Sequence, residues 1–167
     1  MLSLFESLEQ HAADRKIKLY TTDLPDPIKG LYFSHDDFHA ITLSNALETS
    51  PERVTVLAEE LGHYHTTPIN LFTAPAPVAA MYERRAVAWA ANALIPLSSI
   101  VAAWRAGVRS RWELAEYLGV TDEFTVRALE LYRARCGLSV CVDGCLITFD
   151  LLHIKEGTEW LQSEDIN

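Results

Sequence analysis

The chain has 167 residues, 49% hydrophobic and 22% charged, which suits one globular domain with a core of its own and leaves no room for a separate cofactor-binding domain. Fourteen Lys and Arg stand against 23 Asp and Glu, a formal net charge of -9. An acidic chain carries no electrostatic footprint for nucleic acid, so phosphate contacts are not expected to be its main activity.

The start, Met1-Leu2-Ser3-Leu4-Phe5-Glu6, has no basic region, and no secretory leader is expected there. Residues 2–15 read as a short helix. Three β-type runs follow, at Ile17 to Thr22, Leu31 to Phe33 and Phe38 to Leu43. They are separated by Asp23-Leu24-Pro25-Asp26-Pro27 and by the turn-like His35-Asp36-Asp37, and together they predict a small, mainly antiparallel three-stranded sheet. The pattern then turns helical. Ser50 as N-cap and Pro51 in the first turn open a helix to about Thr66. Helices from about Val78 to Ile95 and from Pro96 to about Ala106 come next. Ala86 to Trp104 carries no charge, but Pro96 breaks it, so two buried helices are expected in place of a membrane span. Ser110 and Thr121 are caps for two more helices, ending near Gly119 and Arg135. Asp143-Gly144 predicts a hairpin over about Leu138 to Leu152, pairing Val142 with Cys145. Cys136, Cys141 and Cys145 are odd in number, and Cys141 and Cys145 fall on opposite faces of that hairpin, so free thiols in a reducing cytoplasm are expected.

The informative segment is Leu57-Ala58-Glu59-Glu60-Leu61-Gly62-His63-Tyr64-His65. At 3.6 residues per turn, His63 lies roughly 40° from Glu59, and Glu60 roughly 100° from it. Val54, Leu57, Ala58, Leu61 and Tyr64 fill the opposite arc. One face therefore presents two carboxylates and an imidazole. It differs by one residue from the zinc-peptidase signature His-Glu-x-x-His, with Glu59 at the first histidine. Glu59 and His63 suit a metal, and Glu60 suits a general base that moves a proton from water to a leaving amine. Catalytic zinc usually has three protein ligands. Glu83 is the candidate third: Ala86, Val87, Ala90 and Leu94 lie within roughly 60° of it on one apolar stripe, where an unpaired, buried carboxylate would be costly and a cation would explain it. Each residue also has an ordinary reading: Glu59 and Glu60 as surface acids, His63 as a structural histidine, Glu83 as the partner of an arginine.

These phrases resemble the ImmA/IrrE metallopeptidases. Leu57 to Tyr64 matches that family's Leu-Ala-His-Glu-Leu-Gly-His-Tyr except at Glu59, and Glu83 to Pro96 matches its second helical phrase with Trp89 as the aromatic. The likeness covers residues 17 to 150 in element order and is specific only over the two helical phrases. It implies an α+β, minimal zincin-like domain over residues 1–108, then a helical pair with a hairpin over 109–155 and an acidic tail over 156–167. It also implies a cytoplasmic metal-dependent endopeptidase of phage or mobile-element type that cleaves a helix-turn-helix repressor and so regulates transcription. Glu59, His63 and Glu83 would hold Zn2+, with Glu60 catalytic. The substitution at Glu59 makes the set harder and more anionic, which suits Mn2+ or Fe2+ as well. It also leaves open a weakened or inactive member, a binding module in a toxin–antitoxin or repressor pair. His35, His39 and His65 are other nitrogen donors within reach in sequence, although His65 falls roughly 200° round the helix from His63. Finally, Arg111 to Arg135 resembles a helix-turn-helix. Asp122, Glu123 and Glu130 offset Arg127, Arg133 and Arg135, so two packed supporting helices are expected there and nucleic acid is not the expected partner.

Overall fold

A computed structural model describes residues 2–157. Helix α1 (Leu4–Asp14) is closed at its start by a capping box between Ser3 and Glu6. Strands β1 (Lys18–Thr22), β2 (Gly30–His35) and β3 (Phe38–Ser44) form a sheet in the order β1-β3-β2. Strands β2 and β3 make an antiparallel hairpin, but β1 runs parallel to β3, with Lys18 opposite Ala40 and Thr22 opposite Ser44. The sheet is thus mixed. Strand β3 is central, and β2 is an edge with one side of its backbone unpaired by the sheet.

Helix α2 (Ser50–Thr66) begins one residue earlier than its sequence suggests. Thr49 is the N-cap: its hydroxyl accepts from the Glu52 N–H at 3.3 Å, and the Glu52 carboxylate accepts from the Thr49 N–H at 2.9 Å. The box requires an acid three residues past the cap, and from Ser50 that position is Arg53. Helices α3 (Ala76–Leu94) and α4 (Leu97–Arg105) are separated at Ile95-Pro96. The span Ala76–Arg105 is apolar enough, by length and composition, to cross a membrane, yet it is broken by Pro96 and half of its most apolar window is buried within the protein. At this break the end of α3 is met from α6 (Asp122–Cys136). The Tyr132 hydroxyl donates toward the Ile95 oxygen at 2.9 Å and lies 3.2 Å from that of Ala91.

Helix α5 (Arg111–Leu118) is capped by Ser110 and ends on Gly119 in the left-handed region at φ 68°. Thr121 caps α6. Strands β4 (Ser139–Val142) and β5 (Cys145–Thr148) pair as the Asp143-Gly144 turn predicts, Val142 opposite Cys145. The expected hairpin is two strands of a three-stranded sheet, because β6 (His153–Glu156) adds antiparallel to β5. Ile154 is buried against the core opposite Ile147, and Arg105 binds Glu156 at 2.8 Å. That strand covers the start of what reads in the sequence as an acidic tail; residues 158–167 lie outside the described residues. The cysteines are free. One hydrophobic cluster runs from Leu8 of α1 through Ile41, Leu57, Leu61, Ala90 and Phe124 to Ile154 of β6. Helix α6 turns Phe124, Thr125, Ala128, Leu129 and Tyr132 into the protein interior.

What positions the site is the contact of α2 with α3. Gly62 lies against the backbone of Ala86. A Cβ at residue 62 would overlap the Ala86 carbonyl oxygen and come within 2.8 Å of its carbon and 2.9 Å of Cα. Backbone cannot yield as a flexible side chain can. Gly62→Ala is therefore expected to destabilise the fold by about 2 kcal/mol or more, on the scale of other overpacked cores. A fall in the urea midpoint at unchanged m-value checks this, and an unchanged midpoint would show that the two helices have slack.

Candidate metal centre

The polar face of α2 meets three different surroundings. Glu60 lies under the edge strand β2. Gly30 opens that strand, and a Cβ there would fall 2.5 Å from Val56 Cγ1, 2.7 Å from Glu60 Oε1 and 2.9 Å from Glu60 Cγ. The missing side chain lets the strand close over the carboxyl. Burial pushes Glu60 up to about 7, with the charge of His63 and the Tyr32 main-chain N–H acting against it and Glu59 and Glu83 adding to it.

His63 is held at both ring nitrogens. Nδ1 is 3.2 Å from the Thr67 hydroxyl, one turn on, and Nε2 is 3.3 Å from Oε2 of Glu83. Its side chain is 12% exposed. Burial draws the imidazole down, but the hydrogen bond to Glu83 and the charges of Glu60, Glu83 and Glu59 together outweigh burial and raise it. The same hydrogen bond, above all, lowers Glu83. Thr67 fixes the ring so that Nε2 faces Glu83, the kind of outer contact that orients metal-binding histidines.

Glu83 itself corrects one expectation. The apolar stripe of α3 is buried at Ala86, Val87, Ala90, Ala91 and Leu94, but the Glu83 side chain is 58% exposed. It stands one turn before the stripe meets α2, where its carboxylate reaches both water and His63. It is neither buried nor unpartnered.

Glu59 turns toward α6. Its side chain, 23% exposed, is gripped by the Arg127 guanidinium in two hydrogen bonds, Nη1 to Oε1 at 2.8 Å and Nη2 to Oε2 at 3.4 Å. Burial raises Glu59 and Arg127 opposes that rise. The Glu59 oxygens thus face a guanidinium, while His63 and Glu83 face each other. Among the described residues, no three His, Cys, Asp or Glu side chains come together as a metal-binding group. The other histidines are engaged elsewhere. His35 is exposed beside Asp36, His39 bonds the Tyr32 hydroxyl at 2.9 Å, and His65 turns away as its helical phase predicts. There its Nε2 meets His11 Nε2 at 2.8 Å and its ring stacks on Trp89.

The chemistry of the donors gives the fit. Glu83 meets the His63 imidazole directly, Glu59 and Glu60 act on it through their charges, and Arg127 is the cation bound to Glu59. His63 and Glu83 suit a divalent cation in donor type and approach. Glu59 suits it in type, but its carboxylate faces Arg127 instead of His63 and Glu83.

Three residues that shape the site were not singled out in the sequence for this role: Gly30, Thr67 and Arg127. Gly30 and Thr67 carry a weak signal, a glycine opening a strand and a hydroxyl one turn after a histidine. Arg127 carries none, since Glu123 and Glu130 offer it nearer partners along its own helix while its actual partner is 68 residues away.

The fold of the described residues is α+β, two small sheets packed with six helices around one core. Residues 12–130 match the Peptidase_M78 family, the IrrE N-terminal-like domain. The chain belongs to this family, and the match extends from α1 through Arg127 of α6. No curated protein matches the chain.

The Glu60 environment gives a stability test in metal-free protein. A carboxyl raised from 4.5 to about 7 is easier to ionise in the unfolded chain, so stability is lost as pH climbs from about 4.5 through about 7. At 1.36 kcal/mol per unit the loss is on the order of 3 kcal/mol. Glu60→Gln removes it, so its Tm is expected to exceed that of the native protein at pH 8 in EDTA, with the gain shrinking toward pH 5. An equal gain at both pH values would show that ionisation of Glu60 is not the cause.

Proposed function

We propose that the chain is a metal-dependent endopeptidase in which His63 and Glu83 hold the metal, Glu59 completes the ligand set when Arg127 releases it, and Glu60 carries the proton. The observation that supports this best is the meeting of His63 Nε2 and Glu83 Oε2 at 3.3 Å beside the buried carboxyl of Glu60. A divalent cation bound there supplies Lewis acidity toward water and a peptide carbonyl. Zn2+ is the proposed metal, with Mn2+ and Fe2+ suited by the anionic donors. Glu60 takes the proton of the attacking water and returns it to the leaving amine. Raised to about 7, its carboxyl exchanges protons readily near neutral pH. Thr67 holds the His63 ring in place. The peptide lies along the free side of β2, extended, as an added strand. That edge is Gly30–His35; strand β3 is central and has no free side.

The proposed substrate is a regulatory protein of repressor type, supported by the resemblance to the ImmA/IrrE peptidases. The proposed setting is the cytoplasm of a cell that carries a phage or mobile element, and the free cysteines accord with a reducing compartment. The Glu59–Arg127 pair supports a second reading, a family member with weak or no catalysis that binds a regulator. Glu60→Gln separates the two. The expected result is loss of Zn2+-dependent cleavage of labelled casein or a repressor-type protein by about 10²- to 10⁴-fold, the usual contribution of a proton carrier, with metal content unchanged. No cleavage by the native protein at saturating Zn2+, Mn2+ or Fe2+ would favour the binding module.

A further inference from the structure

We propose that Arg127 is a latch on the metal site: its guanidinium competes with the metal for Glu59 and sets how tightly the protein binds a divalent cation. The inference rests on the reading of His63 and Glu83 as metal-binding residues. It goes further by assigning a role to a side chain from α6, outside the helices that carry the motif.

The geometry is specific. Glu59 and His63 are one turn apart on α2, so their side chains project from the same face. The Glu59 carboxylate is nevertheless turned to α6, with each of its oxygens on a different nitrogen of Arg127. A two-point pair of this kind is among the stronger protein hydrogen-bond arrangements. Both carboxylate oxygens face the guanidinium, and the bound group is a cation. For Glu59 to ligate metal, its carboxylate must turn from Arg127 toward His63, and the guanidinium charge then stands beside the incoming cation. Its charge also acts on Glu83, the other carboxylate of the set. The pair is half-shielded from water, with side-chain exposures of 40% and 23%, so solvent screens it only partly. Arg127 is a positioning residue. In the latched state the metal meets two donors, His63 and Glu83. With the latch open, Glu59 is released as a third.

Zn2+ affinity measured by competition with a chromophoric chelator tests this through a double-mutant cycle on the full-length protein. Arg127→Met keeps the length of the side chain and removes its charge. It is expected to tighten Zn2+ binding by about 10- to 100-fold, the range over which residues behind the ligands tune metal sites. Arg127→Lys keeps a charge but loses the two-point grip, and an intermediate gain is expected. Glu59→Gln in the otherwise native chain is expected to change affinity less than about threefold, because Glu59 is withheld already. In the Arg127→Met background the same change should erase the gain, a coupling that only an opposed pair produces. Circular dichroism checks that each variant is folded, and Arg127→Lys, which keeps a cation beside Glu59, takes over the test if Arg127→Met unfolds: unchanged affinity in a folded Arg127→Lys would then overturn the latch. A tenfold loss on Glu59→Gln alone would overturn the latch, since Glu59 would then be a ligand in the native protein. So would unchanged affinity in a folded Arg127→Met. If native Zn2+ binding is lost in His63→Ala while Arg127→Met has no effect, the latch fails and the metal site stands; if His63→Ala changes nothing, the site itself fails and the latch with it.

Discussion

The site depends on the contact between α2 and α3. Gly62 brings the backbone of α2 against that of α3 at Ala86, closer than any side chain would allow. With the helices at that distance, His63, one residue past the glycine, faces Glu83, one turn before Ala86. Moving the helices apart by the width of a methyl group would separate those two side chains. The Leu-Gly-His phrase is thus a packing device as well as a chemical one. Its leucine enters the core, its glycine sets the spacing, and its histidine receives the partner that the spacing delivers.

Around this contact, three elements each adjust one charged group. Strand β2 closes over Glu60 and makes its ionisation costly. The end of α2 holds His63 through Thr67. Helix α6, anchored in the core by Phe124, Ala128 and Tyr132, holds Glu59 through Arg127. Three carboxyl groups in such a small space repel one another, and the fold answers with one fixed cation and one ionisable ring. The guanidinium sits with Glu59. A histidine at position 59 would not need a cationic partner; a half-buried glutamate does. Glu59 and Arg127 therefore make physical sense as a pair.

Much of this was legible in the sequence because it is local. The caps Ser110 and Thr121, the Asp143-Gly144 turn and the break at Pro96 act within a few residues, and the structure has them where the pattern puts them. The face shared by Glu59, Glu60 and His63 follows from helical phase alone. The departures come from longer range. The parallel pairing of β1 with β3 depends on how the chain crosses residues 23–29, which no periodicity records. Strand β6 is four residues of His-Ile-Lys-Glu leading into an acidic run, and only its pairing with β5 reveals it. Glu83 shares a stripe with buried alanines, yet it sits beyond the point where the neighbouring helix covers them. Arg127 meets Glu59 across 68 residues of chain, so the interaction that most alters the site left no local trace.

The central claim is that two helices place His63 and Glu83 around one divalent cation with Glu60 alongside. An anomalous difference map at the zinc absorption edge, from crystals grown with stoichiometric Zn2+, tests it most directly. The account predicts one strong peak between the His63 imidazole and the Glu83 carboxylate. A map with no peak there, or with zinc bound only at other histidines such as His11 and His65, would contradict it.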